Sequence, residues 1–245
     1  MRNEWGIPSL RTERLATLVS TCTYAGGSVT DPTRPLFVWR TAALSKARGC
    51  VLTFYVWDEK LEQLWRRPQH YTELFLRHEI TAVIEPDYSL WTDDALAVQV
   101  FNVYRTRWLG RYWQDAGLLV IPSLNWSDER SSSFCFAGIP VGAPVVAVEC
   151  RTAGQTDEDR RRFLAGLTEG VKQVQPRHVI VYGGKEHRYW LAPYLPQGPR
   201  YTLLESWPTA RGRVRQQAAQ KNQLHLFPVG GKRWVDEAVA VMDAA

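Results

Sequence analysis

At 245 residues, with 45% hydrophobic and 22% charged side chains, the chain has the composition of one globular domain or two small ones, which excludes a disordered or fibrous protein. A net charge of +5 is too small to name a partner by itself. No apolar run reaches the ~18 residues that cross a bilayer, and residues 1–9 lack the basic-then-apolar pattern of a signal peptide, so a cytoplasmic protein without membrane association is expected.

Residues 1–49, broken by Gly26-Gly27-Ser28 and by Pro32 and Pro35, read as an irregular lead-in packed on the core, with one short strand near 36–39. A β-rich run over 50–57 then ends at Asp58, and helical patterns follow over 60–65 and 71–77. A strand over 81–84 runs into Glu85-Pro86-Asp87-Tyr88. Thr92 or Asp93 is placed to cap a long helix over 94–115, which Gly117 stops. Within it Ala97, Phe101, Tyr104, Trp108 and Tyr112 form one stripe, which reads as core, while Gln99, Asn102, Arg105 and Thr106 form a neighbouring face.

Beyond lie a strand over 118–121, a polar stretch over 125–130, an apolar run over 134–139, a strand over 144–150 and an amphipathic helix over 157–175. A strand over 178–182 closes at Gly183-Gly184. A last strand over 201–205 and a helix over 211–220 complete the reading. Short, uniformly apolar strands alternating with helices mean parallel strands covered by helices, hence an α/β fold. Periodicity leaves an open sheet and a barrel both possible. With no G-x-G-x-x-G or P-loop turn after any strand, the expectation is a parallel β/α barrel-like or partial-barrel domain over 50–245, with a basic segment from about 185.

In such folds functional side chains gather at the carboxyl ends of the strands. Asp58, Glu85 with Asp87, the stretch Asn125 to Arg130, and Glu149 all fall there. Converging carboxylates need raised pKa values, a cation or arginines. One expectation is therefore a Mg or Mn site built from Asp58, Asp87, Asp128 and Glu149, with Asp87, Asp128, Glu129 and Arg130 as catalytic residues. Arg105, with Asn102, Asn125 and Trp126, is placed to bind substrate. The plainer reading makes these acids helix caps or surface ion pairs.

Other chemistries find less support. Cys22, Cys50, Cys135 and Cys150 form no C-x-x-C, so neither a zinc ribbon nor a redox centre is indicated. The five histidines are scattered, and no G-x-S-x-G elbow occurs. From 185 to 233, nine basic residues face two acidic ones, a local net of +7. Arg211, Arg213 and Arg215 in that stretch suit a DNA or RNA backbone, or simply a solvated surface.

The run 54–59, Pro86-Asp87-Tyr88-Ser89, the helix with Gln99, Asn102, Tyr104 to Arg107 and Tyr112-Trp113-Gln114, the stretch Asn125 to Arg130, and Phe134 to Pro140 together resemble an uncharacterised domain family of bacteriophages, plasmids and other bacterial mobile elements. The resemblance covers about 50–184, leaving the lead-in and the basic tail as features of this chain. It implies no established activity; its mobile-element setting points towards nucleic acid by analogy. Three functions are expected: a divalent-metal phosphodiesterase or nuclease, a non-enzymatic nucleic-acid-binding or replication accessory module, and a barrel enzyme acting on a small phosphorylated or sugar substrate.

Overall fold

The computed structural model describes residues 3–17, 44, 51–80, 82–206 and 209, and the backbone of three short strands before residue 44. In chain order these are β1 (Thr23–Tyr24), β2 (Gly27–Ser28), β3 (Phe37–Val38), β4 (Val51–Thr53), α1 (Asp58–Arg66), α2 (Pro68–Arg77), β5 (Ala82–Ile84), α3 (Leu96–Asp115), β6 (Leu119–Ile121), β7 (Ser123–Leu124), β8 (Val146–Glu149), α4 (Asp157–Val174), β9 (His178–Tyr182), α5 (Arg188–Leu191) and β10 (Arg200–Leu204). The fold is α/β. The expected helix over 211–220 lies outside the described residues.

Apart from the β1–β2 hairpin, every ladder is parallel, in the orders β3-β4-β5-β6 and β7-β8-β9-β10. Pro122 joins the two ladders: it lies between β6 and β7, has no N–H to give, and its carbonyl accepts from Ala147 at 2.9 Å. The strands thus follow one another in sequence order. Right-handed crossovers then put the helices on one face.

Two apolar clusters follow from that arrangement. The larger contains residues of α1, α2, α3 and α4 against outward strand positions such as Leu52, Phe54, Val83 and Val148. The smaller takes nothing from a helix: Ala16, Val51, Tyr55, Ala82, Ile84, Ile121, Val145, Ala147, Ile180, Tyr182 and Leu204. Alternation along the strands assigns these side chains to the opposite, inner face. There the Tyr55 and Tyr182 rings stack with centroids 5.0 Å apart, although β4 and β9 would lie roughly 19 Å apart in a flat sheet. The sheet therefore curls strongly. No ladder joins β3 to β10 among the described residues, so barrel closure by hydrogen bonding is not seen there.

α4 starts at a reciprocal cap, Thr156 Oγ1 accepting from the Asp159 N–H and Asp159 Oδ2 from the Thr156 N–H, both at 3.1 Å. α3 corrects two expectations. It begins at Leu96 without a side-chain cap, so neither Thr92 nor Asp93 caps it. Its facing is also reversed: Gln99, Asn102, Arg105, Thr106, Arg107 and Gln114 are buried, while Phe101 is 46% exposed and Tyr104, Trp108 and Tyr112 are only partly covered, beside Trp65 of α1.

Most buried polar groups of α3 are hydrogen-bonded, which is the condition for burying them; among the described residues Arg105 Nε and Trp113 Nε1 are the exceptions on this helix. Gln114 exchanges two hydrogen bonds with the backbone of Arg11, at 2.7 and 3.1 Å, and fixes the lead-in. Arg107 pairs with Glu85 and donates to the carbonyls of Ala137 at 3.1 Å and Ser123 at 3.0 Å. Burial pushes Glu85 up and Arg107 pulls it back, leaving it at about 7. Gly110 permits this packing, because a Cβ there would lie 2.3 Å from Glu85 Oε1.

Candidate active site

Parallel strands bring their carboxyl ends to one rim, and the inner-face positions at that rim carry chemistry. Tyr55 follows β4, Asp87 follows β5, Ser123 lies in β7, Glu149 ends β8 and Tyr182 ends β9. Glu149 and Arg151, two apart, pair at 2.7 Å, and Glu149 Oε1 also accepts the Arg151 backbone N–H at 2.5 Å. Arg151 reaches across the curl to donate to the Tyr55 carbonyl at 3.2 Å, its guanidinium 5.4 Å from the Tyr182 ring centroid. Glu149 Oε2 makes no hydrogen bond with a described residue.

The loop carrying Asp87 is fastened on both sides of it. Thr106 donates to the Pro86 carbonyl at 3.2 Å, Asn125 to the Tyr88 carbonyl at 2.6 Å and Asn102 to the Ser89 carbonyl at 2.7 Å. The Ser89 N–H and hydroxyl each donate to Asp58 at 3.1 Å. Tyr88 donates to the Leu61 carbonyl at 2.9 Å, while Arg105, paired with Glu62, covers the Tyr88 ring at 3.7 Å. Among the described residues, the Asp87 carboxylate itself accepts no hydrogen bond. Burial first, then the negative charges of Glu149 and Asp58, hold its pKa well above the usual carboxylate range against Arg151 and Arg107. The Tyr55 phenol is also pushed up, by burial and then by Asp87.

A family described as "Domain of unknown function (DUF4417)" matches residues 1–192. This chain belongs to the DUF4417 family. It is 35% identical over 167 residues to the "Gene 1 protein" of Mycobacterium phage L5, covering 67% of this chain and 72% of that protein. It is 36% identical over 172 residues to the "Gene 1 protein" of Mycobacterium phage D29, covering 70% of this chain and 59% of that protein, which is thus substantially longer than the match. No solved structure matches. The resemblance to an uncharacterised phage-encoded family is thereby established. The DUF4417 match begins at residue 1, so the lead-in belongs to the family pattern and is not peculiar to this chain.

Within the DUF4417 chain, the expected site residues fall into three groups. Asp58, Asp87 and Glu149 all follow or end strands at the rim, where the charges of Glu149 and Asp58 act on Asp87. Asn102 and Asn125 hold carbonyls of the Asp87 loop, and Arg105 covers its Tyr88 ring while paired with Glu62. Trp126 is also structural: its ring packs on Phe163 with centroids 5.4 Å apart, its Nε1 donates to the Arg162 carbonyl at 3.3 Å, and a Cβ on Gly166 would meet it at 2.0 Å.

The third group is paired within its own turn. Asp128 caps the 3-10 turn Glu129–Ser133 and pairs with Arg130 at 2.7 Å, which holds its pKa below the ordinary range. Arg130 also donates to the Thr92 carbonyl at 2.6 Å. Asp128, Glu129 and Arg130 thus form a turn with its own ion pair, tied through Thr92 to the loop that follows Ser89. Arg211, Arg213 and Arg215 lie outside the described residues. Among the described residues no three His, Cys, Asp or Glu are placed to hold a metal ion: Asp58 is engaged by Ser89, Glu149 by Arg151 and Asp128 by Arg130. Among the described residues the four acids expected to hold Mg or Mn do not form one cluster. Sequence reasoning missed Tyr55, Ser123 and Arg151. The signal for Arg151 was Glu149-Cys150-Arg151, since alternation at a strand end keeps positions two apart on one side.

Proposed function

We propose that this rim is an acid–base active site that hydrolyses a glycosidic bond in a neutral, sugar-containing substrate, in the cytoplasm. The observation that supports it is the Asp87 carboxyl: backbone fastened on both sides, side chain uncommitted, proton retained above the usual range, with the Glu149–Arg151 ion pair acting on it. A carboxyl that holds its proton beside one held by an arginine is matched to acid and base roles, and glycoside hydrolysis uses such a pair. Asp87 gives its proton to the glycosidic oxygen as the bond to the anomeric carbon breaks. Water adds to that carbon and its proton passes to Glu149 Oε2. Arg151 orients Glu149, and the negative charge at the rim favours the oxocarbenium-like transition state.

The test is release of 4-nitrophenol from a panel of 4-nitrophenyl glycosides, and of reducing ends from oligosaccharides. Hydrolysis of at least one, unaffected by chelator and abolished in Asp87→Asn, is the expected result. No hydrolysis of any member, alongside metal-dependent cleavage of DNA or RNA, overturns it.

A second reading, nucleic-acid binding or phosphodiester cleavage, draws on the local +7 between 185 and 233 and the phage relatives. At the rim, phosphate would meet Asp58 and Glu149 with Arg151 already paired, and a divalent ion would lack a third ligand among the described residues. This reading predicts steeply salt-dependent DNA or RNA binding, lost when Arg211, Arg213 and Arg215 are neutralised.

A further inference from the structure

Two tryptophans stand in solvent at the same rim, Trp57 at 77% and Trp91 at 62% exposure. Large rings so exposed are uncommon. Both sit on the loops that the Asp58–Ser89 hydrogen bonds join: Trp57 immediately precedes Asp58, and Trp91 follows Ser89 by two residues. The backbones beneath them are held, because Trp57 leads directly into α1 and the loop before Trp91 carries the bonds that fasten Asp87. Neither ring packs against another described aromatic ring or cation, unlike the Trp65 and Trp108 rings.

The charges nearby restrict the occupant. Asp58, Glu59, Asp93 and Asp94 lie within three positions of the two rings, against Lys60 alone. Arg130, bonded to the Thr92 carbonyl, has its charge met by Asp128. A strand of phosphates would be repelled, whereas a neutral ring with an apolar face and hydroxyl edges is accepted by flat rings flanked by carboxylates. We infer that Trp57 and Trp91 are the platform on which sugar rings of the substrate stack beside Asp87. This rests on the reading of the rim as a glycosidic active site and adds the residues that select its substrate.

Calorimetric titration of the full chain carrying Asp87→Asn, so that ligand is not consumed, tests it with cellohexaose, chitohexaose, maltohexaose and an oligothymidylate. Saturable binding of at least one hexaose, insensitive to salt, is expected. Trp57→Ala and Trp91→Ala should each weaken it about tenfold, and Trp→Phe at either position less so. The platform is overturned if no hexaose binds, if binding ignores both substitutions, or if oligothymidylate binds through these rings with a steep salt dependence. Binding lost in the tryptophan variants of a chain that hydrolyses nothing would uphold the platform and remove only the catalytic reading. Turnover and affinity both unchanged in Trp57→Ala and Trp91→Ala would do the reverse.

Discussion

Arg107→Met should cost about 3–5 kcal/mol of folding stability, measured by chemical denaturation, because it strands a buried carboxylate. Both Arg107 and Glu85 are almost wholly inaccessible. Without the guanidinium, Glu85 keeps only the Ser123 N–H at 3.1 Å, and the Ala137 and Ser123 carbonyls lose their donors. Methionine restores much of the volume, so the loss reports polar groups left without partners and not a cavity. Combining it with Glu85→Gln should recover part of the loss, since no unpaired charge then remains. A cost below about 1 kcal/mol, the range of exposed pairs, would show that the pair does not hold α3 to the sheet.

Asp87→Asn should fold as the parent does and lose activity by a factor of about 10²–10⁴, the range for a positioned acid or base. Its stability has a sign that is set by the raised pKa. The folded value of Asp87 lies above the unfolded one, near 3.9, so ionisation opposes folding. The favourable contribution is complete below the unfolded value and disappears as pH rises through the folded one. Asparagine carries no such proton. The stability of the parent minus that of Asp87→Asn should therefore fall with rising pH across this window, and the variant should equal or exceed the parent on its alkaline side. A difference that grows with pH would mean that Asp87 is ion-paired in the folded chain.

How much of this could be read from the sequence depended on what each residue does with its polar atoms. The strands at 82–84, 119–121, 146–149 and 178–182 were legible because short apolar runs buried on both faces look like little else. β7 was not, since Ser123-Leu124 after Pro122 carries no β signal of its own. The face of α3 was misread for a physical reason: hydrophobic periodicity assumes that polar side chains seek water, but Asn102, Thr106 and Arg107 instead satisfy backbone carbonyls of neighbouring loops. Asp87 was visible as an acid at a strand end. Asp128 carried the same signal but serves a turn two residues from its own arginine. Local sequence does not distinguish a capping acid from one facing the rim; the partner at Arg130 does.

The most direct measurement of the central claim, that the loop is fastened so as to leave Asp87 uncommitted beside Glu149, is a carbon-13 carboxyl titration of Asp87 by NMR. The midpoint should lie well above that of an ordinary aspartate and should move down in Glu149→Gln, where the neighbouring negative charge is gone and Arg151 is freed. A midpoint at or below the ordinary value, unmoved by Glu149→Gln, would contradict it.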